Sequence, residues 1–132
     1  MEYLFAYGTL LKHFENEVLK PLEDFLTFTG KGLLKGELYD LGEYPALIKA
    51  KELSQTVAGE VYSIDSNANH VLAALDEYEG AEYSRQQQWV RLHNGKEVRC
   101  WVYVYQYTPG PNHIKIIDGD YLAYIRNKVD NG

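Results

Sequence analysis

The run Tyr83-Ser84-Arg85-Gln86-Gln87-Gln88-Trp89-Val90-Arg91-Leu92 leads into His93-Asn94-Gly95. The chain then returns as Lys96-Glu97-Val98-Arg99-Cys100-Trp101-Val102-Tyr103-Val104-Tyr105-Gln106-Tyr107. Both arms carry β-branched and aromatic residues, and Asn-Gly between two such runs is a strong short-range hairpin signal. A two-residue turn at Asn94-Gly95 would set Val90 opposite Arg99. A three-residue loop, His93-Asn94-Gly95, sets Val90 opposite Val98 and Arg91 opposite Glu97, with Gly95 in the left-handed position such loops need. The second register matches apolar with apolar and charge with opposite charge, and is the one expected.

Upstream of this hairpin, Ala68, Val71, Leu72, Leu75 and Tyr78 recur at helical spacing. Asp65 and Ser66 read as N-cap signals and Gly80 as the stop, which makes this the clearest helix of the chain. Further back, Gln55 to Ile64 alternates as a strand, and Ala46 to Lys49 is a short extended piece after a turn at Tyr44-Pro45. Thr27 to Leu41, punctuated by Gly30, Gly32 and Gly36, reads as a bent or bulged strand. Asn16 to Phe25 has only weak helical spacing, interrupted by Pro21. Glu2 to Tyr7 is a nearly continuous apolar run, expected as a buried central strand. Downstream, a last helix is expected from about Gly119 to Asn127, with Tyr121, Tyr124 and Ile125 on one face and Lys128 to Gly132 as a loose tail. Strands dominate and the helices do not alternate with them. The expectation is an α+β fold, a small mixed or antiparallel β-barrel with flanking short helices, in a single domain over 1–132.

Composition narrows the function. The chain has 132 residues, 45% hydrophobic and 24% charged, enough for one core. Its formal net charge of −6 and its scattered Lys and Arg argue against a nucleic-acid partner, which would need clustered cations facing phosphates. Tyr3 to Leu11 is too short to span a membrane and lacks the basic flank of a signal peptide, so no membrane partner is expected. The lone cysteine, Cys100, suits a reducing, cytoplasmic setting and reads as a small buried core residue. Four histidines, His13, His70, His93 and His113, lack metal-ligand spacing. There is no nucleotide loop, dinucleotide fingerprint or serine elbow. Neither a metal nor a cofactor is expected. Tyrosine is unusually frequent, at 12 residues. Those phenols fit a strand-rich core with polar tips, a half-polar cavity, or both.

Among 19 acids, helix phase singles out one. At about 100° per residue from Ala68, Glu79 falls within the apolar band, Glu77 on the opposite face and Asp76 at the margin. Glu79 therefore points where core residues point, at the end of its helix. Burial and the negative end of the helix dipole would both raise its pKa, making it a usable general acid or base. The plainer reading is a terminal Glu that reaches solvent or pairs with Arg85. Tyr7-Gly8-Thr9-Leu10, where a strand stops at a glycine, is either an ordinary turn or a cradle whose N–H groups hold a carboxylate or carbonyl oxygen.

Taken in order, several segments form a recognisable set: Tyr7-Gly8-Thr9-Leu10; Leu38-Tyr39-Asp40-Leu41-Gly42-Glu43-Tyr44-Pro45-Ala46-Leu47; Gly59-Glu60-Val61-Tyr62; Leu75-Asp76-Glu77-Tyr78-Glu79-Gly80 followed by Tyr83-Ser84-Arg85; Trp101-Val102-Tyr103-Val104-Tyr105; and Gly119-Asp120-Tyr121. The set resembles the gamma-glutamylcyclotransferase-like family in its short form, over nearly the whole chain. The resemblance implies a small mixed β-barrel with a cavity at one end and a cofactor-free reaction on a small-molecule gamma-glutamyl substrate. In that reaction the α-amine closes on the γ-carbonyl, giving 5-oxoproline and a free amine or amino acid. It further implies that Glu79 moves the protons, that Tyr7, Gly8, Thr9 and Leu10 hold the glutamyl end, and that Tyr83 lies near the pocket. Two other readings stand beside it. One is a non-catalytic binding module that keeps the cavity; the other is a barrel that stacks single-stranded nucleic acid on its aromatics, which the charge opposes.

Overall fold

The computed structural model describes the chain except residues 12–16, 18, 53 and 132, with backbone only at 129–131. Its strands are β1 (Glu2–Ala6), β2 (Leu26–Lys35), β3 (Glu37–Asp40), β4 (Pro45–Ile48), β5 (Thr56–Ile64), β6 (Tyr83–Leu92), β7 (Glu97–Tyr105) and β8 (Ile114–Ile116). Its helices are α1 (Ala68–Glu79) and α2 (Tyr121–Asn131), with a 3₁₀ segment at Lys20–Phe25. Strands β1, β5, β2, β6 and β7 form a closed barrel, while β4, β3 and β8 form a separate three-stranded sheet. The barrel is mixed: β1 pairs antiparallel with β5 and parallel with β7 through Leu4 and Trp101.

The expected hairpin is β6–β7, with Val90 opposite Val98 and Arg91 opposite Glu97. Gly95 has φ +90, the conformation its three-residue loop requires. Ion pairing of Arg91 with Glu97 at 3.5 Å adds little on an exposed surface, so the apolar match is what sets the register.

Other boundaries differ from the sequence reading. The segment expected as one bent strand, Thr27 to Leu41, is two strands in different sheets. A bulge between Phe28 and Gly30 bends β2, and the chain leaves the barrel at Gly36. Asp65 and Ser66 do not cap α1. The cap is Asn67 in the left-handed conformation, because Asp65 is already engaged by Thr27 and Ser63 hydroxyls. Of the weak helix expected from Asn16 to Phe25, the described residues form the 3₁₀ segment Lys20–Phe25, with Pro21 in its first turn; Asn16 and Val18 lie outside the described residues, as does His13. Strand β8 was not anticipated. The presumed tail from Lys128 is helical to Asn131, because α2 is tied down from outside its own sequence.

Two buried acids join remote segments, and the first of them holds α2. Asp40, 6% exposed, accepts from the Tyr124 hydroxyl at 2.7 Å, the Gly42 N–H at 2.7 Å and the Lys128 ammonium at 3.3 Å. Glu37, 4% exposed, takes the Lys51 N–H at 2.9 Å and the Lys115 ammonium at 3.1 Å. Burial alone would raise both carboxyls. The donors outweigh it, and both lie below their ordinary values.

Two apolar cores result from strand alternation. Phe5 of β1 and Tyr7 just after it join Val57, Val61, Val90, Cys100 and Val102 in the barrel, continuous with Leu38 and Leu47 of the smaller sheet. Leu4 and Ala6, on the other face, pack with Tyr62, Ile64 and Tyr103 against Val71, Leu72 and Leu75 of α1. Cys100 is buried, and that burial raises its thiol to about 12. Among the described residues no helix is long and apolar enough to cross a membrane.

Candidate active site

The packing of α1 on β1 decides where Glu79 goes. Leu75, one turn earlier, is fully buried against Leu4, Ala6 and Tyr103. Glu79 follows four residues later on the same stripe, as the last residue of α1, and Gly80 ends the helix with φ +83. The carboxyl thus faces a pocket at the end of the barrel rather than bulk water. Burial raises its pKa from 4.5 to about 7. Of the two effects expected to raise it, burial accounts for this shift, and Glu79 also stands at the C-terminal end of α1.

The pocket is lined by the end of β1 and the turn after it, from Phe5 through Leu10. Tyr44 and Pro45, Glu79, Tyr83 and Tyr103 complete it. All six residues singled out from the sequence, Tyr7, Gly8, Thr9, Leu10, Glu79 and Tyr83, are therefore gathered around one space. The turn is closed by the Leu11 N–H bonding to the Gly8 carbonyl at 3.0 Å. Gly8 has a steric reason to be glycine: a Cβ there would sit 2.5 Å from Pro45 Cγ. Close approach of the Gly8 backbone to the Pro45 ring sets the width of the pocket on that side.

Phenols make up much of the wall. The buried Tyr7 hydroxyl donates to the Tyr103 carbonyl at 2.6 Å, and the Tyr83 hydroxyl to the Pro45 carbonyl at 2.8 Å. Thr9 Oγ1 lies 2.9 Å from the Tyr78 hydroxyl, joining the turn to the last turn of α1. Burial, with the charge of Glu79 next in importance, pushes Tyr7 and Tyr83 well above the ordinary phenol value. These side chains stay neutral and polar throughout the physiological range.

Arg85 does not pair with Glu79, the alternative the sequence left open. Its guanidinium forks onto Asp76, with Nε 2.8 Å from Oδ1 and Nη2 3.3 Å from Oδ2, and stacks over Trp101 at 4.5 Å from the ring centroid. Asp76 also accepts from the Tyr103 hydroxyl at 2.7 Å. Among the described residues none donates a hydrogen bond to the Glu79 carboxylate or forms an ion pair with it.

Sequence reading missed Tyr103, Tyr44 and Pro45 as pocket residues. Parallel pairing of Leu4 with Trp101 puts Tyr103 beside Ala6, but nothing in the sequence announces that β1 and β7 are neighbours. Tyr44 and Pro45 arrive through the smaller sheet, whose existence was not foreseen.

Known proteins share this fold. Residues 4–123 match the family described as gamma-glutamyl cyclotransferase, AIG2-like, and the chain belongs to that family. A protein of Methanocaldococcus jannaschii named "Putative gamma-glutamylcyclotransferase" is 35% identical over 128 residues, covering 94% of this chain and 98% of its own. The crystal structure of YkqA from Bacillus subtilis is 25% identical with a TM-score of 0.77. It covers 98% of this chain, which spans only 42% of YkqA. An AIG2-like protein from Mus musculus is 29% identical with a TM-score of 0.67, over 83% of this chain and 80% of that one.

Proposed function

We propose that the protein is a gamma-glutamyl cyclotransferase that releases 5-oxoproline and a free amine or amino acid from a gamma-glutamyl compound. One observation carries this reading: a desolvated carboxyl with a pKa of about 7 shares a small pocket with a glycine turn. Family membership and the names of the relatives support it.

The chemistry asks little of the protein. Attack of the α-amine on the γ-carbonyl of the same glutamyl unit is intramolecular, so proximity is supplied by the substrate once the pocket folds it. The attacking amine begins as an ammonium and must lose a proton. Glu79, about half ionised near neutrality, accepts it. The new C–N bond gives a tetrahedral intermediate with an oxyanion, and the N–H groups of the Gly8–Leu10 turn are its donors. Collapse breaks the bond to the leaving nitrogen, to which Glu79 returns this first proton; the second proton, shed as the attacking nitrogen becomes the lactam N–H, passes over the same carboxyl to the expelled amine, which departs as an ammonium and leaves Glu79 ionised again. The neutral phenols of Tyr7 and Tyr83 border the glutamyl end without adding charge.

Incubation with a panel of gamma-glutamyl amines and gamma-glutamyl amino acids, read by mass spectrometry for 5-oxoproline, tests this. Glu79→Gln is expected to lose about 10²-fold or more in rate. A ligand that raises the melting temperature yet is recovered unchanged from the wild-type protein would instead assign a binding module. Full activity in Glu79→Gln would remove that residue from the mechanism.

A further inference from the structure

Glu79 ends α1 and Arg85 stands early in β6, across a short link; Asp76 and Glu79 are three residues apart on α1, so a guanidinium held at one lies within a helical turn of the other. Here Asp76, one turn before Glu79 on α1, takes the guanidinium, through both of its oxygens. Two further contacts hold that arrangement. The Tyr103 hydroxyl, on a pocket-lining residue, donates to the same Asp76 oxygen. Trp101 lies under the guanidinium on its other face. Asp76 is thus fixed by strand β7 as well as by its own helix.

We propose that Asp76 is a positioning residue that sequesters Arg85 and so keeps Glu79 unpaired in the pocket. The inference rests on the cyclotransferase reading for its purpose, since an acid locked to Arg85 would be too weak a base to deprotonate an ammonium. It does not rest on that reading for its measurement.

Among the described residues, the groups lining the pocket around Glu79 carry no other charge. The residue after β1 is Tyr7, the segment before β4 presents Tyr44, β6 presents Tyr83, and β7 presents Tyr103. All are phenols. Glu82, ahead of β6, is exposed, as is Glu77 on the far face of α1. Tyr78 of α1 is engaged with Thr9. Burial is the cause of Glu79's elevation.

The test is a pH titration of the Glu79 side-chain carboxyl by ¹³C NMR, assigned with Glu79→Gln, in the full-length protein. In Asp76→Asn the released guanidinium reaches Glu79, and its midpoint is expected to fall by about one unit or more. In the double variant Asp76→Asn, Arg85→Gln that fall should vanish. The conservative Asp76→Glu keeps a carboxylate for Arg85 and should leave the midpoint near that of wild type. Asp76→Ser reads the same quantity if Asn disturbs the helix. A midpoint that does not drop in the neutral Asp76 variants overturns the proposal, and so does a drop that persists without Arg85. Failure of the wild-type protein to form 5-oxoproline would defeat the proposed reaction and leave this titration to stand or fall separately.

Discussion

The Tyr7 hydroxyl donates to the main-chain carbonyl of Tyr103 at 2.6 Å, joining residues 96 positions apart at the rim of the pocket. The same hydroxyl lies 3.4 Å from the Leu47 N–H, which donates to it. One phenol therefore links the end of β1, the end of β7 and the smaller sheet. Each of these supplies part of the pocket wall, so the geometry around Glu79 depends on packing far from α1.

The raised Glu79 pKa sets the pH dependence of the proposed reaction. As the base, Glu79 must be ionised in the free enzyme. We expect kcat/KM to fall about tenfold per unit as pH drops below about 7. The profile is measured with whichever gamma-glutamyl compound is turned over, and a flat profile down to pH 5 excludes Glu79 as the base.

The same burial makes Glu79 a stability liability at high pH. A carboxyl raised from 4.5 to about 7 favours the folded state in its neutral form. That contribution is fully present below about pH 4.5 and is lost as pH rises through about 7. Glu79→Gln, which is neutral throughout, should match wild type near pH 4 and exceed it by about 1–3 kcal/mol at pH 8. Thermal melts at the two pH values check this, with an upward shift of several degrees only at the higher one.

Asp40 has the opposite sign. Burial raises its carboxyl, but Tyr124, Gly42 and Lys128 more than offset that, leaving it below the ordinary value. Its contribution is present above the unfolded pKa of about 3.9 and is lost as pH falls through the lower folded value. Removing one donor with Tyr124→Phe should cost about 1–3 kcal/mol at pH 7 and shift acid unfolding to higher pH. An unchanged denaturation midpoint would mean that the buried network does not hold α2.

Gly8→Ala should damage the pocket without touching a titratable group. The new methyl would meet Pro45 Cγ at 2.5 Å, and neither the turn nor the proline ring can yield as a flexible side chain would. We expect a loss of about 1–3 kcal/mol in stability and a rise in KM for the gamma-glutamyl compound of about tenfold or more. Wild-type values for both would show that the turn and β4 approach less closely than described.

Local signals carried a good deal of this protein. Hairpin register followed from matching Val90 with Val98 and Arg91 with Glu97, because side-chain alternation makes a one-residue slip expose the core face. Helix phase put Glu79 on the buried stripe for a similar reason: periodicity is a property of neighbouring residues. What adjacency could not supply was the partner of each strand end. The parallel join of β1 to β7, the separate sheet β4-β3-β8 and the capture of Arg85 by Asp76 depend on contacts between remote segments. Nor could it show that Asp65 was already held by Thr27 and Ser63 and so unavailable as a cap. The amino-acid sequence by itself determined the strand-rich class, the hairpin and which face of α1 is apolar. Only the tertiary structure decided that the acid ending that face would meet a glycine turn in one pocket, because chain closure over many residues, not local pattern, sets which ends come together.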